Sequence, residues 1–181
     1  VTPARIYPAL FGTAWPRLHE SLRGFFGSFG AWKGRFDVRR GGGLFGRLVG
    51  GLMRLPRAGR ALPTSLEVAP HGDGEQWSRT FGDCRLVTWQ RVASPALLTE
   101  RVRLMEFLLS ISVTGQQIVF EQIAAALTIG PLRLRLPRWL APQITARTWF
   151  DDRRRTIEVR VSMTGPALVP LIEYDGTLQC Q

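Results

Sequence analysis

Lysine is nearly missing from this sequence: Lys33 is the only one among 24 basic residues, so the positive charge is almost entirely guanidinium. Histidine and cysteine are scarce as well, with His19, His71, Cys84 and Cys180 the whole supply. There is no H-x-x-x-H, no C-x-x-C and no cysteine cluster, so a metal site built on those ligands is excluded and no metal is expected. Neither histidine stands in a serine or cysteine nucleophile context, and no P-loop is present. The common triad and nucleotide-cleaving chemistries therefore lack their carriers, and no cofactor is expected. No apolar run approaches the roughly 20 residues of a membrane-spanning helix. The amino end shows no secretory pattern, and two thiols outside any framework fit a reducing compartment, so the expected location is cytoplasmic. A Cys84–Cys180 bridge and two inert, partly buried thiols both remain open. Twelve Pro and 19 Gly are scattered without a period, which excludes repeat arrays and low-complexity tracts.

What is present describes a folded chain. The 181 residues, 45% hydrophobic and 21% charged, suit one domain, 1–181, with enough apolar material for its own core. The net charge of +10 attracts anions, so phosphate backbones and anionic lipid headgroups are conceivable partners, and any such binding must weaken with salt. The plainer reading is a coding preference for arginine with solvated side chains.

Periodicity divides the chain into helices plus a first strand over 1–60 and antiparallel strands over 64–181. Thr2 and Pro3 read as a helix cap, with Ile6, Leu10 and Phe11 on one face. Pro16 marks a second start, followed by Leu18, Leu22, Phe25 and Phe26 and stopped by Gly27 and Gly30. Gly34 to Arg40 alternates as a strand. Leu44, Phe45, Leu48, Val49, Leu52 and Met53 then gather on one side only if the segment is helical. From Thr64 onward strand follows strand, with connectors at His71–Gly74, Gly82-Asp83, Ser94-Pro95, Thr114-Gly115 and Asp151-Asp152. Leu104–Val113 and Ile118–Leu127 are apolar on both faces, as expected if one face meets a core or cavity and the other lies under the amino-terminal helices. The expected fold is α+β, mostly β: a curved antiparallel sheet or barrel of about 8–10 strands with two or three N-terminal helices packed on it.

Several constellations are weighed for chemistry. Gly41-x-Gly43-x-x-Gly46, with Glu67 downstream, matches a dinucleotide fingerprint, but no further strand–helix units follow and the preceding strand is arginine-rich. A glycine-rich turn into a closely packed helix explains it better. The same helix admits a membrane-surface reading, through the ridge Gly42, Gly46 and Gly50 and through Arg47, Arg54, Arg57 and Arg60. Glu100, Glu106 and Glu121 offer carboxylates without known separations. Trp77, Trp89 and Trp149 stand in alternating strands, where large aromatics fill a core or line a cavity rather than stack on bases; no nucleic-acid partner is expected. Trp77-x-Arg79-x-Phe81 places an arginine between two aromatics on one face. If that face points inward, Arg79 either forms an internal ion pair with Glu100 or Glu106, or meets the polar or anionic head of a ligand.

The runs Gly34-Arg35-Phe36-Asp37-Val38-Arg39-Arg40-Gly41, Leu55-Pro56, Trp77-Ser78-Arg79-Thr80-Phe81, Leu136-Pro137-Arg138-Trp139-Leu140-Ala141-Pro142 and Tyr174-Asp175-Gly176-Thr177-Leu178 resemble family 4166 of the bacterial domains of unknown function. The resemblance covers nearly the whole chain and brings no catalytic residues with it. In some relatives the domain follows a region similar to saccharopine dehydrogenase that binds a nicotinamide dinucleotide, which implies a dehydrogenase-like partner protein. Relatives tend to carry histidine just before a glycine where this chain has Arg23-Gly24.

The first expectation is a noncatalytic binding domain whose cavity holds a small amphiphilic or lipid-like ligand, with Trp77, Arg79, Phe81, Glu100, Trp139 and Tyr174 as ligand-binding residues. The alternatives are an enzyme or accessory subunit working with the dehydrogenase-like partner, and a docking module for a protein or for peripheral contact with a membrane.

Overall fold

The computed structural model describes residues 5–180. The expected Thr2–Pro3 cap and the side chains of Leu44 and Phe45 lie outside what it describes, and Cys84 is a free thiol, so the Cys84–Cys180 bridge left open by the sequence is not formed. The chain opens with α1 (Tyr7–Phe11), a 3-10 segment (Gly12–Arg17) and α2 (Glu20–Gly27), then β1 (Gly30–Arg40) and α3 (Leu44–Met53). Ten strands follow: β2 (Gly59–His71), β3 (Gly74–Phe81), β4 (Cys84–Ser94), β5 (Leu97–Val102), β6 (Met105–Thr114), β7 (Gln117–Ile129), β8 (Leu132–Leu136), β9 (Gln143–Asp151), β10 (Thr156–Thr164) and β11 (Pro170–Cys180). Pro16 does not start the second helix as the sequence suggested. It lies inside the 3-10 segment, and His19 caps α2 instead, its Nδ1 accepting the Ser21 N–H at 3.2 Å.

Hydrogen-bonded neighbours run β6-β5-β4-β3-β2-β1-β11-β10-β9-β7, and β7 pairs back onto β6. Every pairing is antiparallel, so ten strands close into a barrel and β8 hangs as an eleventh on the far half of β7. Closure removes the edges that an open sheet would expose. The antiparallel order also removes the parallel strand–helix unit that a dinucleotide fingerprint needs, and Glu67 faces solvent.

Turns are tight where glycine supplies the left-handed conformation, as at Gly72 (φ 57°) and Gly82 (φ 58°). Arg103 adopts the same conformation (φ 53°) without being glycine, which is why the β5–β6 turn was not legible as a connector. β2 begins at Gly59, earlier than the expected start near Thr64. Its first residues do not alternate because the β1–β2 register shifts between Phe36 and Val38.

The two barrel ends are closed differently. At one end lie α1, α2 and the turns at 71–74, 94–97, 114–117 and 151–156: the Leu10 carbonyl accepts the Ala96 N–H, and His19 Nε2 is 3.5 Å from Asp152. At the other lie α3 and the turns at 82–83, 103–104, 129–132 and 165–169: the Arg54 carbonyl accepts from Cys84, and the Gly51 carbonyl from Arg103. The amino-terminal helices therefore do not cover the outer face of the sheet as expected. They plug the interior, with Tyr7, Phe25 and Phe26 meeting Trp77 and Phe120 from inside. The buried stripe of α3 also differs from the expected one: Gly46, Val49, Gly50 and Met53 face in, whereas Leu48 is 70% exposed.

Candidate functional site

Strand alternation brings Trp77, Arg79 and Phe81 of β3 to the inner wall, as expected from their spacing. Thr88 and Gln90 of β4 and Glu100 of β5 join them there, and Tyr174 of β11 closes the far side 5.2 Å, ring centre to ring centre, from Phe81. Together they line an internal cavity of about 120 Å³, whose remaining walls are largely apolar.

Polar groups cross this cavity as one chain. Tyr7 Oη donates to Gln90 Oε1 at 2.7 Å, and Gln90 Nε2 donates to Glu100 Oε1 at 3.0 Å. Arg79 Nη1 lies 3.8 Å from that same carboxylate oxygen and donates to Thr88 Oγ1 at 3.1 Å, while its guanidinium carbon sits 5.2 Å from the Trp77 ring centre. Arg79 thus has an internal ion pair and also faces the cavity. Its partner is Glu100, not Glu106, which pairs with Arg133 at 2.6 Å. Among the described residues Arg79 makes one hydrogen bond, leaving most of its five donors unspent.

Burial governs the phenols. Desolvation pushes the Tyr174 phenol up, with Arg79 pulling partly against it and Glu100 adding to the rise. Tyr7 is pushed well above the ordinary phenol value by burial first, then by Glu75 and Glu100. Both are therefore neutral hydrogen-bonding groups at ordinary pH.

A second buried cluster anchors the plug. Arg5 Nε donates to Glu75 Oε1 at 2.7 Å, the Ile6 N–H reaches the same oxygen at 2.8 Å, and Trp77 Nε1 donates to Glu75 Oε2 at 3.2 Å. Glu75 is 0% exposed.

Five of the six anticipated residues converge here, and Trp139 does not. It stands 74% exposed in the loop between β8 and β9, far from the cavity wall. Trp89 and Trp149 also depart from the expected inward placement. Thr88 and Gln90 flank Trp89 on the inner face, so Trp89 is turned outward, and Thr148 is the inward neighbour of Trp149. Sequence reasoning missed Tyr7, Thr88 and Gln90. On β4 the inner face carries Leu86 with the polar Thr88 and Gln90, whereas Val87 and Trp89 lie on the outer face, so ranking faces by their bulkiest apolar residue selects the wrong one.

The family model described as a domain of unknown function (DUF4166) matches residues 18–178. No curated protein matches the chain. Among solved structures, the apo form of lipid binding protein 8 from Caenorhabditis elegans is similar at a TM-score of 0.40 and 10% identity, over 84% of this chain and 94% of that one.

Proposed function

The chain belongs to the DUF4166 family of domains of unknown function, and we propose that its barrel binds one small amphiphilic molecule, head against Arg79 and Glu100 and body among Phe81, Leu109 and Val161. The observation that carries this reading is a charged pair with spare hydrogen-bonding capacity facing a largely apolar cavity. An apolar cavity of about 150 Å³ accepts benzene, so about 120 Å³ suits a body of that order. A longer chain requires Met53 and Leu55, which lie against the cavity beneath α3, to give way. Glu100 already counters the Arg79 charge, so a neutral head that both donates and accepts fits better than a free carboxylate, which must compete with Glu100.

The test is ligand-dependent thermal shift and native mass spectrometry with hexanol, hexanamide and hexanoate, on the native protein and on Arg79→Met and Glu100→Gln. The alcohol and amide are expected to stabilise the protein. A hydrogen bond to a charged group contributes about 1.5–3 kcal/mol, so Arg79→Met should weaken their binding roughly ten- to hundred-fold, while Glu100→Gln should improve binding of the acid. Protein that is repeatedly empty and shifts with no member of the series defeats the proposal.

A further inference from the structure

The barrel end that carries α3 differs in surface chemistry from the rest of the molecule. Its segments, 41–60, 82–83, 103–104, 129–142 and 165–169, hold eight arginines and one acid, Asp83. All eight arginines are exposed. Arg57 approaches Asp83 only to 4.0 Å, with both side chains more than four-fifths exposed, so that pair neutralises little. Arg133 is occupied by Glu106; Arg47, Arg135 and Arg138 form no ion pair among the described residues.

Large apolar side chains stand exposed among these arginines. Leu48 projects from α3, Leu132 and Leu134 from β8, Trp139 from the loop that follows, and Leu168 (76% exposed) from the turn before β11. Hydrogen bonds join several of these segments to one another. Gly41 N–H donates to the Leu171 carbonyl just after Leu168, Arg103 reaches the Gly51 carbonyl of α3, and Thr128 N–H donates to the Leu104 carbonyl beside the β7–β8 hairpin. Isolated exposed leucines are ordinary on a protein surface, but several at one end of the barrel set among arginines that are mostly without an ion pair among the described residues are not.

We propose that this end docks on an anionic lipid bilayer, arginines on the headgroups and Leu48, Leu168 and Trp139 in the interfacial layer. The charge is complementary to such a surface, and each guanidinium near it strengthens attachment by a separate increment. The aliphatic side chains decide between a bilayer and a nucleic acid. Bases offer stacking faces that would use Trp139 but leave Leu48, Leu132 and Leu168 in water, whereas a bilayer interface accepts both kinds of side chain. Docking also lays α3 against the membrane, with Met53 and Leu55 beneath it lining the cavity. The surface itself does not depend on what the cavity holds.

The test is sedimentation of the native chain with vesicles of phosphatidylcholine, with and without phosphatidylserine, at low and high salt. Binding is expected to the phosphatidylserine vesicles and to fall with salt. Leu48→Glu combined with Trp139→Ala should lower it at least about ten-fold, and Arg47→Gln and Arg135→Gln roughly five-fold each. Arg153→Gln with Arg154→Gln, at the opposite end, should change it less than about two-fold. These side chains are exposed, and circular dichroism melts superimposable on the native one establish that the variants fold. Three results would each overturn the proposal: no binding to either vesicle at low salt; equal losses from the opposite-end arginines; or capture of a single-stranded oligonucleotide that Leu48→Glu leaves unchanged while vesicles are ignored.

Discussion

The two ends of the barrel are closed by helices of opposite character, and the contrast separates what stabilises the molecule from what gives access to it. The plug end buries Tyr7, Leu22, Phe25 and Phe26 and locks them with Arg5–Glu75 and Tyr7–Gln90. The α3 end is a single helix with Gly46, Gly50 and Gly51 in its interior, each costing about 1 kcal/mol of helix propensity relative to alanine. Its contact with the barrel rests on Val49 and Met53 and on glycine positions such as Gly46, where even the missing Cβ would lie 3.4 Å from the Gly41 carbonyl. Among the described side chains the plug thus buries more than α3 does, and α3 is expected to open first.

The largest effect that would break this contrast is removal of the plug's lock. Glu75→Ala leaves the Arg5 guanidinium buried without its counter-ion, and breaking a buried pair from one side costs about 3–5 kcal/mol. For a chain of this size each kcal/mol corresponds to about 2–4 °C in Tm, so calorimetry should show a drop of roughly 6–20 °C. The paired change Arg5→Met with Glu75→Leu should recover only part of it, because the lone charge is gone but the buried Ile6 N–H and Trp77 Nε1–H still lose their acceptor. If Glu75→Ala costs no more than an exposed substitution such as Glu67→Ala, the plug is not where the stability resides.

Alkaline titration sharpens the same contrast at the next magnitude. Below the ordinary phenol value of 10.0, folded and unfolded chains both hold the Tyr7 and Tyr174 protons, and stability through these groups is flat with pH. Above it the unfolded chain releases protons that the folded chain retains. Stability therefore falls as pH rises from 10.0 toward the raised folded values, by at most about 1.4 kcal/mol per pH unit per phenol. Tyr7, shifted furthest, should contribute most. Urea midpoints across that range should flatten in Tyr7→Phe more than in Tyr174→Phe; equal slopes in both would mean that the plug excludes water no better than the barrel wall.

Strand periodicity made the β-rich fold and half of the site legible, and the missing half has a definite physical origin. Alternation in Trp77-x-Arg79-x-Phe81 identifies a shared face from three residues. It cannot say which face of β4 is inner, since that depends on where β3 and β5 sit, and Trp89 points the wrong way. The amino-terminal helices were visible as amphipathic segments, but their place inside the barrel depends on long-range contacts such as Arg5–Glu75, 70 residues apart. The motifs that carry the family resemblance also find their explanation only in three dimensions. Gly34–Gly41 and Tyr174–Leu178 are partners across the β1–β11 seam, with Arg35 opposite Thr177 and Phe36 opposite Gly176. A Cβ at Gly34 would overlap the Thr177 carbonyl, and one at Gly176 the Arg35 carbonyl. Arg39 reaches Glu173 at 3.3 Å and Asp175 at 3.4 Å on the outer surface. These two runs form one seam of the barrel, with Tyr174 turned into the cavity.

The smallest expected effect is the most direct on α3. Gly51 lies within the helix, exposed, and a Cβ there would meet nothing within 4 Å. Gly51→Ala should therefore stiffen α3 by about 0.5–1 kcal/mol, through helix propensity and a less flexible unfolded chain, without adding a contact to the barrel. Because α3 is the weaker closure, hydrogen exchange of its amides should slow by roughly two- to five-fold while α2 stays unchanged. Access to the cavity beneath Met53 and Leu55 should slow by a similar factor if the helix must loosen for a molecule to pass. A faster or unaltered rate of ligand uptake, with α3 demonstrably stiffer, would place the route into the barrel somewhere other than this end.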